Sequence, residues 1–174
     1  MKTRKVPHIF LIGFMGVGKS TISSYLSQLT KRNEIDTDEK IVEEQNMSIP
    51  EIFEEKGEDY FRNCETKLLE QLKNREGYLV SCGGGMAMRD RNVALMKESG
   101  SIVLLTAKPE TILERVRYSQ NRPILNGNMN VEFIAELMEK RRKKYEDAAD
   151  IIVKTDCRTI EDICNDIVKQ IKNL

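Results

Sequence analysis

The chain has a single histidine and no C-x-x-C pair, and these two shortages exclude several kinds of site. Its four cysteines, Cys64, Cys82, Cys157 and Cys164, are widely spaced, so we expect free thiols in a reducing cytoplasm rather than a zinc cluster. His8 has no second histidine or acid near it in sequence, which predicts a structural role. Catalysis through a Ser–His–acid or Cys–His set therefore has little support.

The chain also lacks a long apolar run and an excess of charge of either sign. No segment approaches the roughly 20 apolar residues that cross a bilayer, and 28 Lys and Arg balance 28 Asp and Glu. We therefore expect no association with a membrane or with nucleic acid. Residues 1–5 are basic but are followed by too few apolar residues for a signal peptide, so we predict a cytoplasmic protein.

Short apolar runs alternate with helical stretches, a pattern that predicts one α/β domain with a parallel sheet covered by helices on both faces. Ligands of such sheets bind at the carboxyl ends of the strands. The predicted strands are 8–12, a short one ending near 35, 78–82, 101–106 and 151–154, and the predicted helices are 19–30, 38–45, 49–56, 59–74, 89–99, 109–117, 131–147 and 160–171.

The segment 118–130 interrupts this pattern because it is rich in Asn, Pro and Gly. Two interpretations are open for a loop of this length, a plain connection or a mobile lid. Arg122 favours the lid, because a lid over phosphates needs a cation.

The segment from Gly13 to Thr21 reads GFMGVGKST and matches the G-x-x-x-x-G-K-[ST] pattern of a phosphate-binding loop. It lies between a β-prone run and an apolar helical stripe, a context in which backbone N–H groups and a helix dipole converge on an anion. Lys19 can add a full charge to the β- and γ-phosphates, and Ser20 can offer a hydroxyl to Mg²⁺. The loop predicts binding of a nucleoside triphosphate and leaves the phosphate acceptor open.

Two carboxylates follow the second predicted strand, in the sequence Asp36-Thr37-Asp38. Alternation along a strand would project Asp36 and Asp38 to the same side. One carboxylate would then serve the Mg²⁺ shell and the other the acceptor hydroxyl, as phosphoryl transfer requires. The alternative is that Asp38 only caps the next helix, but the preceding phosphate loop favours the functional interpretation.

Four further features have both a functional and an ordinary interpretation. Arg62 and Glu65, spaced i,i+3, form either a surface ion pair of little value or a grip on a substrate anion in which Glu65 holds the guanidinium. The glycines 83–85 give either a flexible turn or backbone contacts to a polar substrate.

The basic run 140–144 is most simply a solvated helix face, and nucleic-acid binding ranks last. Arg115 lies either over a nucleotide base or on the surface.

Taken in order, these motifs resemble the shikimate kinase family over about residues 9–153. Small departures occur at Asn46, Cys82, Ile124 and Lys143, and none removes a charged site group. The matching motifs are the phosphate loop, D-T-D at 36–38, S-I-x-x-I-F at 48–53, G-E-x-x-F-R-x-x-E at 57–65, G-G-G at 83–85, R-P at 122–123 and R-x-x-x-Y-x-x-x-A-D at 141–150.

The resemblance implies a three-layer α/β/α sandwich whose five parallel strands have the order 2-3-1-4-5, with a substrate-binding region at about 38–65 and a mobile lid at about 118–130. It implies a monomer that transfers the γ-phosphoryl group of ATP to the 3-hydroxyl of shikimate with one Mg²⁺. The alternatives are another small-molecule kinase, such as a gluconate kinase, or a nucleoside monophosphate kinase. A nucleotide-binding module without catalysis is disfavoured, because Lys19, Asp38 and the arginines are all present.

The resemblance also implies a role for each site residue. Two arginines would clamp the shikimate carboxylate, the glycines would contact its ring hydroxyls, and two phenylalanines would form an apolar wall. The implied residues are Lys19, Asp38 and Arg122 for catalysis; Gly16, Val17, Gly18, Lys19, Ser20, Thr21, Arg115 and Arg122 for ATP; Asp38, Phe53, Phe61, Arg62, Gly83, Gly84, Gly85 and Arg141 for shikimate; and Ser20 with Asp36, through water, for Mg²⁺.

Overall fold

The computed structural model describes residues 6–117 and 130–174, and its elements follow the predicted alternation. The predicted strands and helices are all confirmed, with boundaries that differ by at most two residues. The strands are β1 (His8–Ile12), β2 (Glu34–Asp36), β3 (Leu79–Ser81), β4 (Gly100–Thr106) and β5 (Ile151–Lys154), and the helices are α1 (Lys19–Thr30), α2 (Thr37–Gln45), α3 (Ile49–Lys56), α4 (Glu58–Leu72), α5 (Asp90–Ser99), α6 (Pro109–Val116), α7 (Val131–Ala148) and α8 (Ile160–Ile171).

The five strands form one parallel sheet in the order β2-β3-β1-β4-β5, which confirms the order that the resemblance implied. β1 lies at the centre, and all five of its residues are buried because helices flank the sheet on both faces. α1 packs on β1 and β3 and contacts α8, whereas α5 and α7 both pack on β4. The carboxyl ends of β1, β2 and β3 therefore meet at one edge of the sheet.

A second, smaller hydrophobic cluster is separate from the core around the sheet. It is built by α2, α3 and α4, whose side chains Ile41, Ile52, Phe61 and Leu68 are buried against one another. Phe53 is partly buried against the same cluster. The region from α2 to α4 thus has its own apolar support at the edge of the domain.

His8 joins three elements at the amino end of β1, and it is 1% exposed. Its Nδ1 accepts a hydrogen bond from the Tyr78 N–H at 3.1 Å, and its Nε2 lies 3.0 Å from the Leu72 carbonyl oxygen. Because a backbone N–H can only donate and a carbonyl can only accept, Nε2 carries the ring hydrogen. The predicted structural role of the histidine is confirmed.

No helix in residues 6–117 or 130–174 combines the length and the apolarity that a membrane span requires. All four cysteines carry free thiols, as predicted. Burial raises the pKa of Cys164 to about 11, and Cys82 is fully buried at the end of β3. These two thiols therefore act as small apolar core residues.

Candidate active site

The phosphate-binding loop leaves β1 and enters α1 through a tight turn. Gly16 and Gly18 have φ angles of 80° and 98°, a region of backbone conformation that strains other residues. Gly18 caps α1, so the N–H groups of the first helical turn face the carboxyl edge of the sheet. A Cβ added to Gly16 would lie 2.7 Å from Val116 Cγ1, because α6 packs directly on the loop. The strand–loop–helix context predicted from the sequence is confirmed.

The Lys19 side chain lies across the phosphate-binding loop. Its Nζ donates hydrogen bonds to the carbonyl oxygens of Gly13 at 2.7 Å and Phe14 at 3.1 Å. These bonds hold the ammonium group over the same backbone turn that would cradle an anion. Contact of Lys19 with phosphate stays a prediction.

Arg115 of α6 reaches the same loop from the other side. Its Nη1 donates to the carbonyl oxygens of Gly16 at 3.2 Å and Val17 at 2.9 Å, and to Thr155 Oγ1 at 3.3 Å. The side chain therefore ties the loop to the segment after β5. Contact of Arg115 with adenine stays a prediction, whereas its hydrogen bonds to the phosphate-binding loop are observed.

Asp36 is the last residue of β2 and also the N-cap of α2. Its Oδ1 accepts hydrogen bonds from the N–H groups of Asp38 at 3.0 Å and Glu39 at 3.1 Å. The chain is therefore helical from Thr37 onwards, and the prediction that Asp36 and Asp38 share one side of a strand is wrong. The alternative that Asp38 caps the helix is also wrong, because Asp36 does so. Asp38 lies in the first turn with a buried Oδ1.

The turn formed by Gly83, Gly84 and Gly85 brings the charged groups of the site together. A Cβ added to Gly83 would lie 2.5 Å from Asp38 Oδ1, and one added to Gly85 would lie 2.5 Å from Cζ of Arg62. At Gly84 the nearest atom would be Arg141 Nη1, at 3.6 Å. Side chains at Gly83 and Gly85 would occupy the space of Asp38 and Arg62, so glycine at these two positions permits the approach of the charged groups.

Arg62 of α4 is held by two carboxylates. Its Nη1 donates to both oxygens of Glu65, at 3.1 and 3.0 Å, and its Nη2 lies 3.2 Å from Glu58 Oε1. Burial of the guanidinium opposes its charge, but the two carboxylates outweigh burial and hold the pKa of Arg62 above its usual value. The predicted Arg62–Glu65 pair is confirmed, and its geometry is not that of an exposed surface pair.

Glu65 is the buried partner in this pair, with 0% of its surface exposed. Burial raises the pKa of Glu65 to about 7, although Arg62 acts in the opposite direction, and the nearby Asp38 carboxylate adds to the increase. A Cβ at Gly83 would lie 3.3 Å from Glu65 Oε1 as well as against Asp38, so the two acids flank the same glycine. The side chain is thus close to the site without facing solvent.

Arg141 and Tyr145 approach the glycine turn from α7. The guanidinium carbon of Arg141 lies 5.8 Å from the centre of the Phe14 ring, which places this arginine between the phosphate loop and the turn. Tyr145 donates a hydrogen bond from its hydroxyl to the Gly84 carbonyl oxygen. Burial raises the pKa of Tyr145, so the phenol remains a donor. The family motif contained Tyr145, but the sequence assigned it no contact.

The two phenylalanines predicted to form an apolar wall lie against each other, with their ring planes tilted by 33°. The ring centres of Phe53 and Phe61 are 5.2 Å apart, and Phe61 belongs to the small hydrophobic cluster. Arg62 lies beside the Phe61 ring, with its guanidinium carbon 5.4 Å from the ring centre. The wall and the guanidinium group are therefore neighbours, which is the arrangement a small anion with an apolar ring face would need.

Two buried polar residues that sequence reasoning missed support the glycine turn. Thr37 Oγ1 accepts a hydrogen bond from the Gly83 N–H at 2.9 Å. Asn92 donates from Nδ2 to the Met86 carbonyl oxygen at 3.0 Å and accepts from Thr66 at 2.7 Å. A threonine or asparagine in the sequence does not by itself reveal which group it contacts in the folded chain.

Two predicted features remain, the lid and the basic run of α7. Arg122 and the rest of the predicted lid up to residue 129 lie outside the described residues. Within the basic run on α7, Arg141 belongs to the site, whereas Arg142 pairs with Glu139 at 2.7 Å and Lys143 pairs with Asp147 at 2.8 Å. This supports the interpretation of the run as a solvated helix face.

The site therefore combines a nucleotide phosphate loop with a carboxylate and two arginines at the same edge of a parallel sheet, which defines a P-loop kinase for a small anionic acceptor. The family model for shikimate kinase matches residues 15–172. The chain belongs to the shikimate kinase family.

Individual relatives agree with this assignment. A shikimate kinase of Sulfurihydrogenibium sp. is 39% identical over 165 residues, which cover 95% of this chain and 98% of that protein. A shikimate kinase of Dehalococcoides mccartyi is 38% identical, with 96% and 93% covered. The prediction of an ATP-dependent kinase with a hydroxyl acceptor is confirmed by these matches.

Solved structures separate this family from the predicted alternative. Shikimate kinase from Acinetobacter baumannii in complex with shikimate superposes with a TM-score of 0.89 at 31% identity, covering 97% of this chain and 94% of that one. A gluconokinase from Sinorhizobium meliloti covers 98% of this chain and 94% of its own, but with a TM-score of 0.63 at 15% identity. The gluconokinase shares the fold alone.

Proposed function

We propose that Asp38, Arg62 and Arg141 bind shikimate on the Gly83–Gly85 turn, opposite the γ-phosphate of ATP on the phosphate loop. The observation that carries this proposal is the convergence of the three charged groups on three adjacent glycines at the edge where the loop lies. Shikimate has one carboxylate and three ring hydroxyls. A small ligand of this kind needs cations for the carboxylate and hydrogen-bonding groups for the hydroxyls.

On the nucleotide side, the backbone N–H groups from Gly16 to Thr21 bind the phosphates. Lys19 moves from its carbonyl partners to the β- and γ-phosphate oxygens, which offer it a full negative charge in place of two neutral acceptors. Arg115 lines the adenine side of the loop, and Arg122 approaches the phosphates from the lid. Together these cations offset the charge that the transferred group carries in the transition state.

The residues present fit a magnesium ion that arrives with ATP. Ser20 is exposed at the start of α1, and Asp36 uses one carboxylate oxygen for its capping bonds. Among residues 6–117 and 130–174 there is no group of three or more His, Cys, Asp or Glu side chains that could hold a metal. One hydroxyl ligand from Ser20 and a carboxylate of Asp36 that acts through water suit Mg²⁺, which keeps water and phosphate ligands. When bound, Mg²⁺ neutralises charge on the β- and γ-phosphates.

On the acceptor side, Arg62 and Arg141 bind the shikimate carboxylate and the Phe53–Phe61 wall packs on its ring. Arg62 is prepared for this contact because Glu65 fixes one edge of its guanidinium, while the exposed Glu58 can be displaced by a substrate anion. Asp38 accepts a hydrogen bond from the 3-hydroxyl and orients its oxygen towards the γ-phosphorus.

In the transfer, the 3-oxygen of shikimate forms a bond to the γ-phosphorus as the bond from that phosphorus to the β–γ bridging oxygen breaks. The electron pair of the broken bond leaves on ADP. The hydroxyl proton passes to the Asp38 carboxylate, which later releases it to solvent. Because the transition state is loose, alignment and charge neutralisation contribute more than early proton removal.

Coupled measurement of ADP release tests this function. Purified, folded protein with Mg²⁺ and ATP is expected to turn over with shikimate and to show background rates with gluconate or nucleoside monophosphates. Phosphorus NMR of the product would identify the phosphate ester at the 3-hydroxyl. Turnover with gluconate but not shikimate would replace the proposal with a gluconate kinase activity.

We also propose that the protein is a cytoplasmic monomer of one domain. The four free thiols suit a reducing compartment. The charged groups that converge on the glycine turn belong to a single chain, so the site needs no partner subunit. Light scattering during gel filtration is expected to give the mass of one chain, 20.1 kDa. A dimer mass would contradict this part of the proposal.

A further inference from the structure

The glycine turn is attached to α2 by a buried hydroxyl to which the family motifs assign no role. Thr37 is the first residue of α2, and 0% of its surface is exposed. Its Oγ1 accepts the hydrogen bond from the Gly83 N–H at 2.9 Å. The two residues are 46 positions apart in sequence, so this bond is a tertiary link between the helix that carries Asp38 and the turn that faces the acceptor.

The same glycine is in close contact with the catalytic carboxylate. A Cβ at Gly83 would lie 2.5 Å from Asp38 Oδ1 and 3.2 Å from Asp38 Cγ, so no space separates the glycine from the carboxylate. Thr37 thus holds the N–H of a residue whose Cα supports Asp38. A shift of the glycine by a few tenths of an ångström would be passed on to the carboxylate, because close-packed interiors transmit strain.

We propose that Thr37 is a positioning residue of the acceptor site, whose hydroxyl fixes Gly83 and thereby the Asp38 carboxylate. The inference rests on the proposed role of Asp38 in orienting the acceptor hydroxyl. Phosphoryl transfer depends on the alignment of the attacking oxygen, so a loosened carboxylate lowers the rate of the bound complex more than it lowers ATP binding. Gly83 then acts on the acceptor through Asp38, because its own N–H is occupied by Thr37.

The geometry of the turn supports this division of tasks. Thr37 holds the N–H of Gly83 from α2, and Tyr145 holds the carbonyl group of Gly84 from α7. The turn is thus fixed on both sides by buried side chains. Of these two side chains, Thr37 is the one that adjoins Asp38, both in sequence and through Gly83.

Two substitutions at Thr37 separate the hydroxyl from the shape of the side chain. Thr37→Val keeps the shape and removes the acceptor, so we expect kcat to fall by about tenfold or more while KM for ATP stays within about twofold. Thr37→Ser keeps the acceptor, so we expect kcat within about threefold of the unsubstituted protein. Thr30→Val is the matched control, because it removes a hydroxyl bond to the Leu26 carbonyl oxygen, 2.7 Å long, at the far end of α1.

Hydrogen exchange of the Gly83 amide provides a readout that does not require activity. We expect slow exchange with threonine or serine at position 37, and exchange faster by about tenfold or more with valine, because the amide then lacks its partner. If Thr37→Val does not fold, Thr37→Ala provides the variant without a hydroxyl, and rapid exchange of the Gly83 amide in the unsubstituted protein would still overturn the proposal.

Three results would overturn the proposal: normal kcat in Thr37→Val, an equal loss in Thr37→Ser, or rapid exchange of Gly83 in the unsubstituted protein. A failure of the proposed function would look different. In that case the unsubstituted protein would not turn over shikimate at all, while the exchange of the Gly83 amide would still respond to the substitutions.

Discussion

The nucleotide side and the acceptor side of the site differ in the chemical groups that their cations contact. On the nucleotide side, the contacts are made with backbone: Lys19 and Arg115 both donate to carbonyl oxygens of the phosphate loop. On the acceptor side, the cation contacts other charged side chains: Arg62 binds Glu65 and Glu58. Every residue type has a backbone, but only a few have a carboxylate or a guanidinium group.

This difference explains how the two halves divide their work. A backbone cradle recognises phosphate, which many nucleotides and many proteins share. A cluster of charged side chains recognises one arrangement of carboxylate and hydroxyls. The acceptor side also has its own hydrophobic cluster, separate from the core that supports the phosphate loop. Substitutions on the acceptor side should therefore damage shikimate use and leave ATP binding nearly intact.

The largest expected effect is that of Asp38→Asn. The amide keeps the size of the side chain but loses the charge and the ability to take a proton, so we expect kcat to fall by about 100-fold or more. The dissociation constant for ATP, measured by calorimetry, should change by less than about twofold, because Asp38 lies outside the phosphate loop and separate sites act nearly independently. A near-normal kcat would remove Asp38 from the transfer step.

A second effect, on substrate binding, is expected from Arg62→Ala. Loss of a charge-assisted bidentate contact should lower kcat/KM for shikimate by about 30-fold or more. Arg142→Ala is the matched control, because Arg142 lies on a solvated face and pairs with Glu139. An equal loss of ATP binding would contradict the division between the two halves. The variant also leaves Glu65 buried without its cation, so its melting temperature should be measured in parallel.

A smaller effect is expected from Gly85→Ala. The backbone at Gly85 has a φ of −94°, which alanine adopts without strain. Its Cβ, however, would occupy the position of the Arg62 guanidinium, and the flexible arginine would have to move. We expect KM for shikimate to rise by about tenfold, with a small change in melting temperature, because an arginine displaced from its anion loses a charge-assisted bond. An unchanged KM would show that the arginine contacts the acceptor from another position.

The smallest effect concerns stability and pH at Glu65. Because the pKa of Glu65 in the folded protein is about 7, above the usual value of about 4.3, the folded state holds the proton more tightly between these values. The contribution of the Glu65 carboxyl group to the free energy of unfolding is fully present below about pH 4.3 and is lost as pH rises towards 7. Glu65→Gln removes this dependence.

Thermal unfolding tests the direction of this pH dependence of stability. The melting temperature of Glu65→Gln, relative to that of the unsubstituted protein, should rise by about 3 °C or more between pH 5 and pH 8. Most of the change should fall below pH 7. A constant difference across this range would mean that Glu65 is ionised throughout.

Local patterns predicted nearly all of the fold, because the elements are bounded by clear signals. β1 is an apolar run that Gly13 follows, and α3 is preceded by its N-cap Ser48, which forms a capping box with Glu51. The predicted start of α2 at residue 38 is one residue late although its signal was present: Asp36 is followed three residues later by Glu39, the spacing of a helix N-terminus. The strand geometry predicted for Asp36 and Asp38 is wrong, whereas their roles at the metal and the acceptor hydroxyl stay predictions.

The contacts within the site were harder to predict than the residues. Arg62 and Glu65 are neighbours on one helix, so their pairing could be predicted from spacing. Thr37 and Gly83 meet because β2 lies beside β3 in the sheet, with Asp36 opposite Ser81, and local sequence does not encode that pairing. The burial that raises the pKa of Glu65 is likewise a product of tertiary packing.

The single histidine offers a means of observing this molecule without altering it. The His8 ring takes one hydrogen bond from Tyr78 and gives one to Leu72, so one imidazole reports on the junction of β1, β3 and α4. With one histidine in the chain, a sample labelled with nitrogen-15 at histidine alone would show a single ring in its spectrum. Changes in that spectrum on addition of ATP or shikimate would reveal whether events at the carboxyl edge of the sheet reach its opposite edge.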